Sequence, residues 1–79
     1  MLPTGTVVIS AAGRDRGRLM AVVGNEENSV RLCDGRERPL ANPKRKNPKH
    51  ITVTEFSVGK SEMKSDRALR KALAQLKER

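Results

Sequence analysis

Apolar and polar positions follow one period through roughly the first two thirds of the chain and another at its end. Residues 5–10 hold Val7-Val8-Ile9, and Ala11-Ala12-Gly13 breaks that run. Residues 18–24 place Leu19, Ala21 and Val23 on one parity and Met20 and Val22 on the other. Apolar groups on both parities predict a strand buried on both sides, or one whose outer face is covered. Residues 24–28, Gly-Asn-Glu-Glu-Asn, have the composition of a turn. Residues 29–33 alternate, with Val30 and Leu32 predicted inward and Arg31 outward. Asp34-Gly35 follows at once and predicts a tight hairpin, whose two central positions both need positive φ. Residues 36–40 are then the returning strand. A last strand spans 49–54, with Ile51 and Val53 inward and Thr52 and Thr54 outward. Short strands at close spacing predict a mainly β fold, a small barrel whose closure removes exposed edges.

The period then turns helical. Ser65 is a good N-cap and Asp66 places negative charge in the first turn. Leu69, Ala72, Leu73 and Leu76 form one apolar stripe, and Lys71, Lys77 and Arg79 lie in or near the last turns, where cations are favoured. A helix this short is marginal alone, so its stripe packs on the barrel or on a partner, or it forms only on binding. The predicted organisation is a barrel over residues 1–56, a linker over 57–64 and a basic amphipathic helix over 65–79. No internal repeat or low-complexity segment interrupts it.

Charge narrows the function. The 79 residues include 17 Lys and Arg against 9 Asp and Glu, a net charge of +8. Such a field is relieved by a polyanion, with release of counterions. A membrane is the weaker candidate: no apolar run approaches the roughly 20 residues of a span, and the helix has no aromatic anchor. The single cysteine, Cys33, excludes an intrachain disulfide and favours a reducing compartment. The start, Met1-Leu2-Pro3-Thr4-Gly5, lacks the basic and apolar regions of a signal peptide, and the expected location is the cytoplasm.

Two motifs concentrate the cations. In Gly13-Arg14-Asp15-Arg16-Gly17-Arg18 the glycines allow a tight turn and a close backbone approach to a phosphate, with three arginines around it. Taken alone it is equally an ordinary solvated hairpin. In residues 36–49 six cations (Arg36, Arg38, Lys44, Arg45, Lys46, Lys49) face one acid, Glu37, a local net of +5. Pro43 and Pro48 bracket Lys44-Arg45-Lys46 and hold it extended, so it can lie along a phosphate backbone at little ordering cost. The competing readings are a solvated loop or a generic basic address.

With its flanks, the first motif resembles the KOW motif of ribosomal proteins and transcription elongation factors. The matching residues are Gly5-Thr6-Val7-Val8-Ile9, the 13–18 loop, the apolar run through Val23 and Ser29-Val30-Arg31-Leu32, with Gly17 at the motif's hallmark glycine. The stretch Asp34-Gly35-Arg36, then Pro43-Lys44-Arg45-Lys46-Asn47, then Lys49-His50, resembles a run in large-subunit ribosomal KOW proteins of archaeal and eukaryotic type and their small stand-alone bacterial relatives. Together the matches span about residues 5–54. The resemblance implies an SH3-like barrel that binds ribosomal RNA, either as a ribosomal component or as a loosely associated factor. The implied RNA-contacting residues are Arg14, Arg16, Gly17, Arg18, Arg36, Arg38, Lys44, Arg45, Lys46, Asn47, Lys49 and His50.

Phe56 is the only aromatic residue, so a stacking platform for single strands is missing. Docking on folded RNA by phosphate and 2′-OH contacts is expected instead. Phe56 is read as a plug for one end of the barrel, Cys33 as a small buried group, and His50 as a surface or RNA-contacting residue. No catalytic set, metal set, phosphate-binding P-loop or cofactor site can be assembled, so no enzymatic activity, cofactor or small-molecule substrate is expected. A monomer is expected. The alternative is a protein-interaction adaptor of the transcription or translation machinery, using barrel edges and the helix stripe. Weakly selective DNA binding is a third possibility.

Overall fold

The computed structural model describes residues 2–77 and shows a mainly β fold with one C-terminal helix. The strands are β1 (Thr6–Ser10), β2 (Leu19–Glu26), β3 (Ser29–Cys33), β4 (Lys44–Lys46) and β5 (Ile51–Ser57). They form one antiparallel sheet in the order β4-β3-β2-β1-β5. The helix, α1, spans Asp66–Lys77. The part of the predicted helix at residues 78–79, including Arg79, lies outside the described residues, as does Met1.

The two ends of this strand order, β4 and β5, are consecutive in the chain. Edges of a flat five-stranded sheet would stand about 19 Å apart. The connection from Lys46 to Ile51 contains the 3-10 helix Pro48–His50, so it reaches only about 15 Å. The sheet therefore curls into a small, partly open barrel. The seam between β4 and β5 is bridged by the Lys46 ammonium, which donates to the Ala12 carbonyl just past β1 at 2.8 Å, while the Ala11 N–H donates to the His50 carbonyl at 2.8 Å and extends the β1–β5 pairing up to it.

Strand alternation divides the core in two. Val8, Met20, Val22, Val30 and Leu32 fill the barrel, with Leu2 and Ile51 against them. Val7, Ala21 and Cys33 point the other way, and Leu69, Ala72 and Leu73 of α1 cover them. Val7 pairs with Ala21 and Ala21 with Cys33, so one transverse row of small side chains forms the seat of the helix. This is why β2 is apolar on both parities: one face lines the barrel and the other lies under α1. Phe56 is half-buried in this outer core.

Three local readings are corrected. The 24–28 stretch is not all turn: β2 continues to Glu26 across a register shift between Val22 and Gly24, and only Glu27 and Asn28 turn. Asp34-Gly35 does not open a two-residue hairpin, because only Gly35 has positive φ (80°). Residues 36–40 form a loop, and the strand beside β3 is β4 instead. Asp34 explains the difference, since its side chain accepts from the Arg36 and Arg38 N–H groups at 2.8 and 3.0 Å and winds the backbone around itself. Val53 keeps the barrel-facing parity of its ladder partner Val8 but is not buried: it is 51% exposed, beside Leu2, Val30 and Ile51 at the open side of the barrel. The pairing of β1 with β5 shifts between Thr6 and Val8, and Thr54 turns in, donating from its hydroxyl to the Val7 carbonyl at 2.6 Å.

The 57–64 segment is anchored. Val58 is buried in the outer core and donates its N–H to the Gly5 carbonyl at 2.8 Å, and Lys60–Met63 form a second 3-10 helix.

Candidate nucleic-acid interface

The 13–18 loop is a wound turn. Gly13 and Gly17 both have positive φ, 79° and 84°, which only glycine adopts without strain. The Gly17 N–H donates to the Ser10 carbonyl at 2.7 Å, and Arg18 N–H to the Asp15 carbonyl at 2.9 Å. Asp15 points inward and is 1% exposed. Its Oδ2 accepts from Arg38 Nε at 3.3 Å and lies 3.2 Å from Arg38 Nη2. Its Oδ1 lies 3.7 Å from Arg18 Nη1 and has no hydrogen-bond partner among the described residues.

Arg18 extends this contact into a network. Its Nη1 donates to Asp34 Oδ2 at 3.2 Å and to Glu37 Oε2 at 3.0 Å. The Glu37 hydrogen bond, opposed by partial burial and aided by the charges of Glu37, Asp34 and Asp15, pushes the Arg18 guanidinium pKa further up. Three carboxylates and two guanidiniums thus clamp the 13–18 loop to the 34–38 loop. Asp66 ties the latter to α1 by accepting the Leu40 N–H at 2.7 Å, and Arg70 does so again by donating from Nη1 to the Gly35 carbonyl at 2.9 Å.

On its other side the 13–18 loop borders the seam. Lys46 reaches Ala12, and the Lys46 ammonium would lie 3.7 Å from a Cβ at Gly13. The sequence-predicted residues therefore adjoin one another in series: 44–50, then 13–18, then 34–38. Their roles differ. Arg14, Arg16, Arg36 and Lys49 are exposed and have no ion-pair partner among the described residues. His50 and Asn47 are also exposed, and the Asn47 side chain caps the 3-10 helix by accepting the Lys49 N–H at 2.9 Å. Lys44 is half-buried on β4 beside Leu32. Arg18 and Arg38 are occupied by the internal carboxylates. Arg45 points away from the seam to Glu26, 3.0 Å from its Oε2. Lys46 serves as the latch of the barrel. Gly17 shapes the loop, and among the described residues none but its chain neighbours comes within 4 Å of where its Cβ would stand.

Asp15, Asp34 and Glu37 were missed as site-forming residues. Each stands among arginines in the sequence, and that is the signal an acid in a basic loop provides. A recess of ≈ 450 Å³ between these loops and the end of α1 was missed as well, because it brings together residues 16–19, 34–36 and 70–77. Cys33 is buried, its thiol donates to the Pro39 carbonyl at 3.3 Å, and burial pushes its pKa up to about 11. Among the described residues no three His, Cys, Asp or Glu side chains cluster as a metal set, and no helix is long and apolar enough to cross a membrane. No protein-family model matches the chain, and no curated protein matches it.

Proposed function

We propose that this chain is an RNA-binding protein and not an enzyme, docking on folded RNA through the basic loops 13–18 and 44–50. Ribosomal RNA of the large subunit is the candidate target, in the cytoplasm, with the protein acting as a monomer. The observation that carries the reading is the bridged seam. The bonds of Lys46 to Ala12 and of Ala11 to His50 hold the two basic loops side by side, so their exposed cations meet one phosphate surface together. Phosphate contacts of this kind position a protein on RNA shape, which suits a chain with one half-buried aromatic ring. The adaptor alternative draws less support, since Leu69, Ala72 and Leu73 of its proposed stripe are buried on the strands.

The test is sedimentation of tagged protein through sucrose gradients at low and high salt, with cross-link mapping of bound RNA. Co-sedimentation at low salt and release at high salt are expected. With about five phosphates neutralised, log affinity falls against log salt with a slope near −4. Charge reversal at Arg14, Arg16 and Lys49 abolishes binding while the fold persists, because none of the three has a carboxylate partner among the described residues. Protein that stays at the top of the low-salt gradient without RNA cross-links overturns the reading.

A further inference from the structure

The recess between the 13–18 loop, the 34–36 turn and the last turns of α1 adjoins the docking surface at the seam, sharing Arg16, Gly17 and Arg18 with it, but extends away from it to α1. Its ≈ 450 Å³ lies within the range of small-molecule sites. Arg16, Arg36, Arg70 and Lys77 line it, while Leu73 and Ala74 give it an apolar part. Its one acid, Asp34, is already satisfied by two backbone N–H groups and Arg18. A bare phosphate would gain from the cations but lose hydration against the apolar wall. A flat apolar group without charge would leave the cations idle. The combination fits a nucleotide: a base against the Leu73–Ala74 side, a phosphate at the exposed Arg16 and Arg36.

Arg70 strengthens this assignment. Its bond to the Gly35 carbonyl, 2.9 Å, holds the guanidinium at the wall of the recess before any ligand arrives. A planar guanidinium stacks on bases much as an aromatic ring does, and one already ordered loses little freedom on binding.

We propose, resting on the RNA-binding reading above, that this recess receives a single unpaired nucleotide extruded from the docked RNA. The preferred target is then a helix interrupted by a bulge or loop, in place of a continuous duplex. An unpaired base leaves the stack at little cost, whereas a paired one must first be broken out.

The experiment compares two RNA hairpins by fluorescence anisotropy, identical except for one bulged nucleotide. The wild-type chain is expected to bind the bulged hairpin about tenfold more tightly, the scale of one stacked base. Ala74 is exposed on α1, and Ala74→Gln fills the recess without adding charge or breaking the helix. It should erase the preference while leaving affinity for the paired hairpin within about twofold. Arg70→Lys keeps the charge but not the plane and should also erase the preference, with the salt slope unchanged. A 4-thiouridine at the bulge should cross-link to the peptide covering residues 70–77. Equal binding of the two hairpins by the wild type, or a preference that survives both substitutions, overturns the proposal and leaves RNA binding standing. Displacement of the bulged hairpin by a free nucleoside triphosphate at similar affinity reassigns the recess to a soluble nucleotide and overturns it too. Failure to bind either hairpin overturns both readings.

Discussion

Asp15 lies in a loop of arginines, yet its carboxylate is turned away from solvent and held by Arg38. Removing one partner of a buried ion pair costs about 3–5 kcal/mol when the other charge is stranded. Arg38 keeps some contact with water, so Asp15→Asn is expected to cost about 2 kcal/mol, read from the urea midpoint. Its effect on RNA is the sharper check. The substitution raises the net charge by one, and simple attraction predicts tighter binding. The network predicts weaker binding, because the 13–18 loop loses its shape; tighter binding would show that Asp15 only dilutes the charge. Cys33 makes a second residue-scale prediction. Its thiol pKa rises from 9.0 to about 11 in the fold, so the folded chain keeps a proton that the unfolded chain releases over that window. Stability is therefore unaffected by this group below pH 9, and falls as pH climbs from 9 toward 11. A Cys33→Ala variant should lack that part of the fall, and iodoacetamide at pH 8 should leave the folded thiol unmodified.

At the scale of elements, the junction between the 34–38 loop and α1 decides whether the clamp forms. Gly35 is buried with φ 80°, and a Cβ there would overlap the Asp66 carbonyl oxygen and crowd the Arg70 N–H. Gly17 has a similar φ, 84°, but open space around it. Gly17→Ala should carry only the conformational penalty, about 1–2 kcal/mol. Gly35→Ala must also push α1 off its seat, and should cost about 3 kcal/mol or more. Thermal unfolding of the pair checks this, and equal shifts in Tm would mean that the helix is not seated where the loop requires. These elements were unevenly legible. The 29–33 strand and the helix stripe followed from period alone, since each buries one face on a fixed repeat. The returning strand at 36–40 did not, because an Asp side chain satisfied the backbone that a strand would have paired. The exposure of Val53 was hidden for another reason: its parity is that of buried Val8, its ladder partner, and only the partly open barrel leaves it uncovered.

For the whole molecule, the two-layered core makes α1 obligatory. A chain of 79 residues has little stability to spare. The row Val7, Ala21 and Cys33 is shielded by Leu69, Ala72 and Leu73. A chain ending at residue 64 should lose its cooperative unfolding transition and bind a hydrophobic dye, whereas a helix that merely dangles would be removable without loss. Both the net charge of +8 and its concentration in two basic motifs could be read directly, and so could the class of partner they suggest. Which cations remain available could not, because Arg18, Arg38, Arg45 and Lys46 look like Arg14, Arg16, Arg36 and Lys49 until their neighbours are known.

Period and charge are local properties, carried by each stretch wherever it lies, and they suffice for a small β domain, a capped C-terminal helix and a strongly basic surface. Pairing is not local. Arg18 meets Glu37, Lys46 meets Ala12 and Arg70 meets Gly35 across 19, 34 and 35 positions of chain. Only the curling of the sheet and the seating of α1 bring those groups within reach, and so only tertiary packing sorts the cations into clamps, a latch and free contacts.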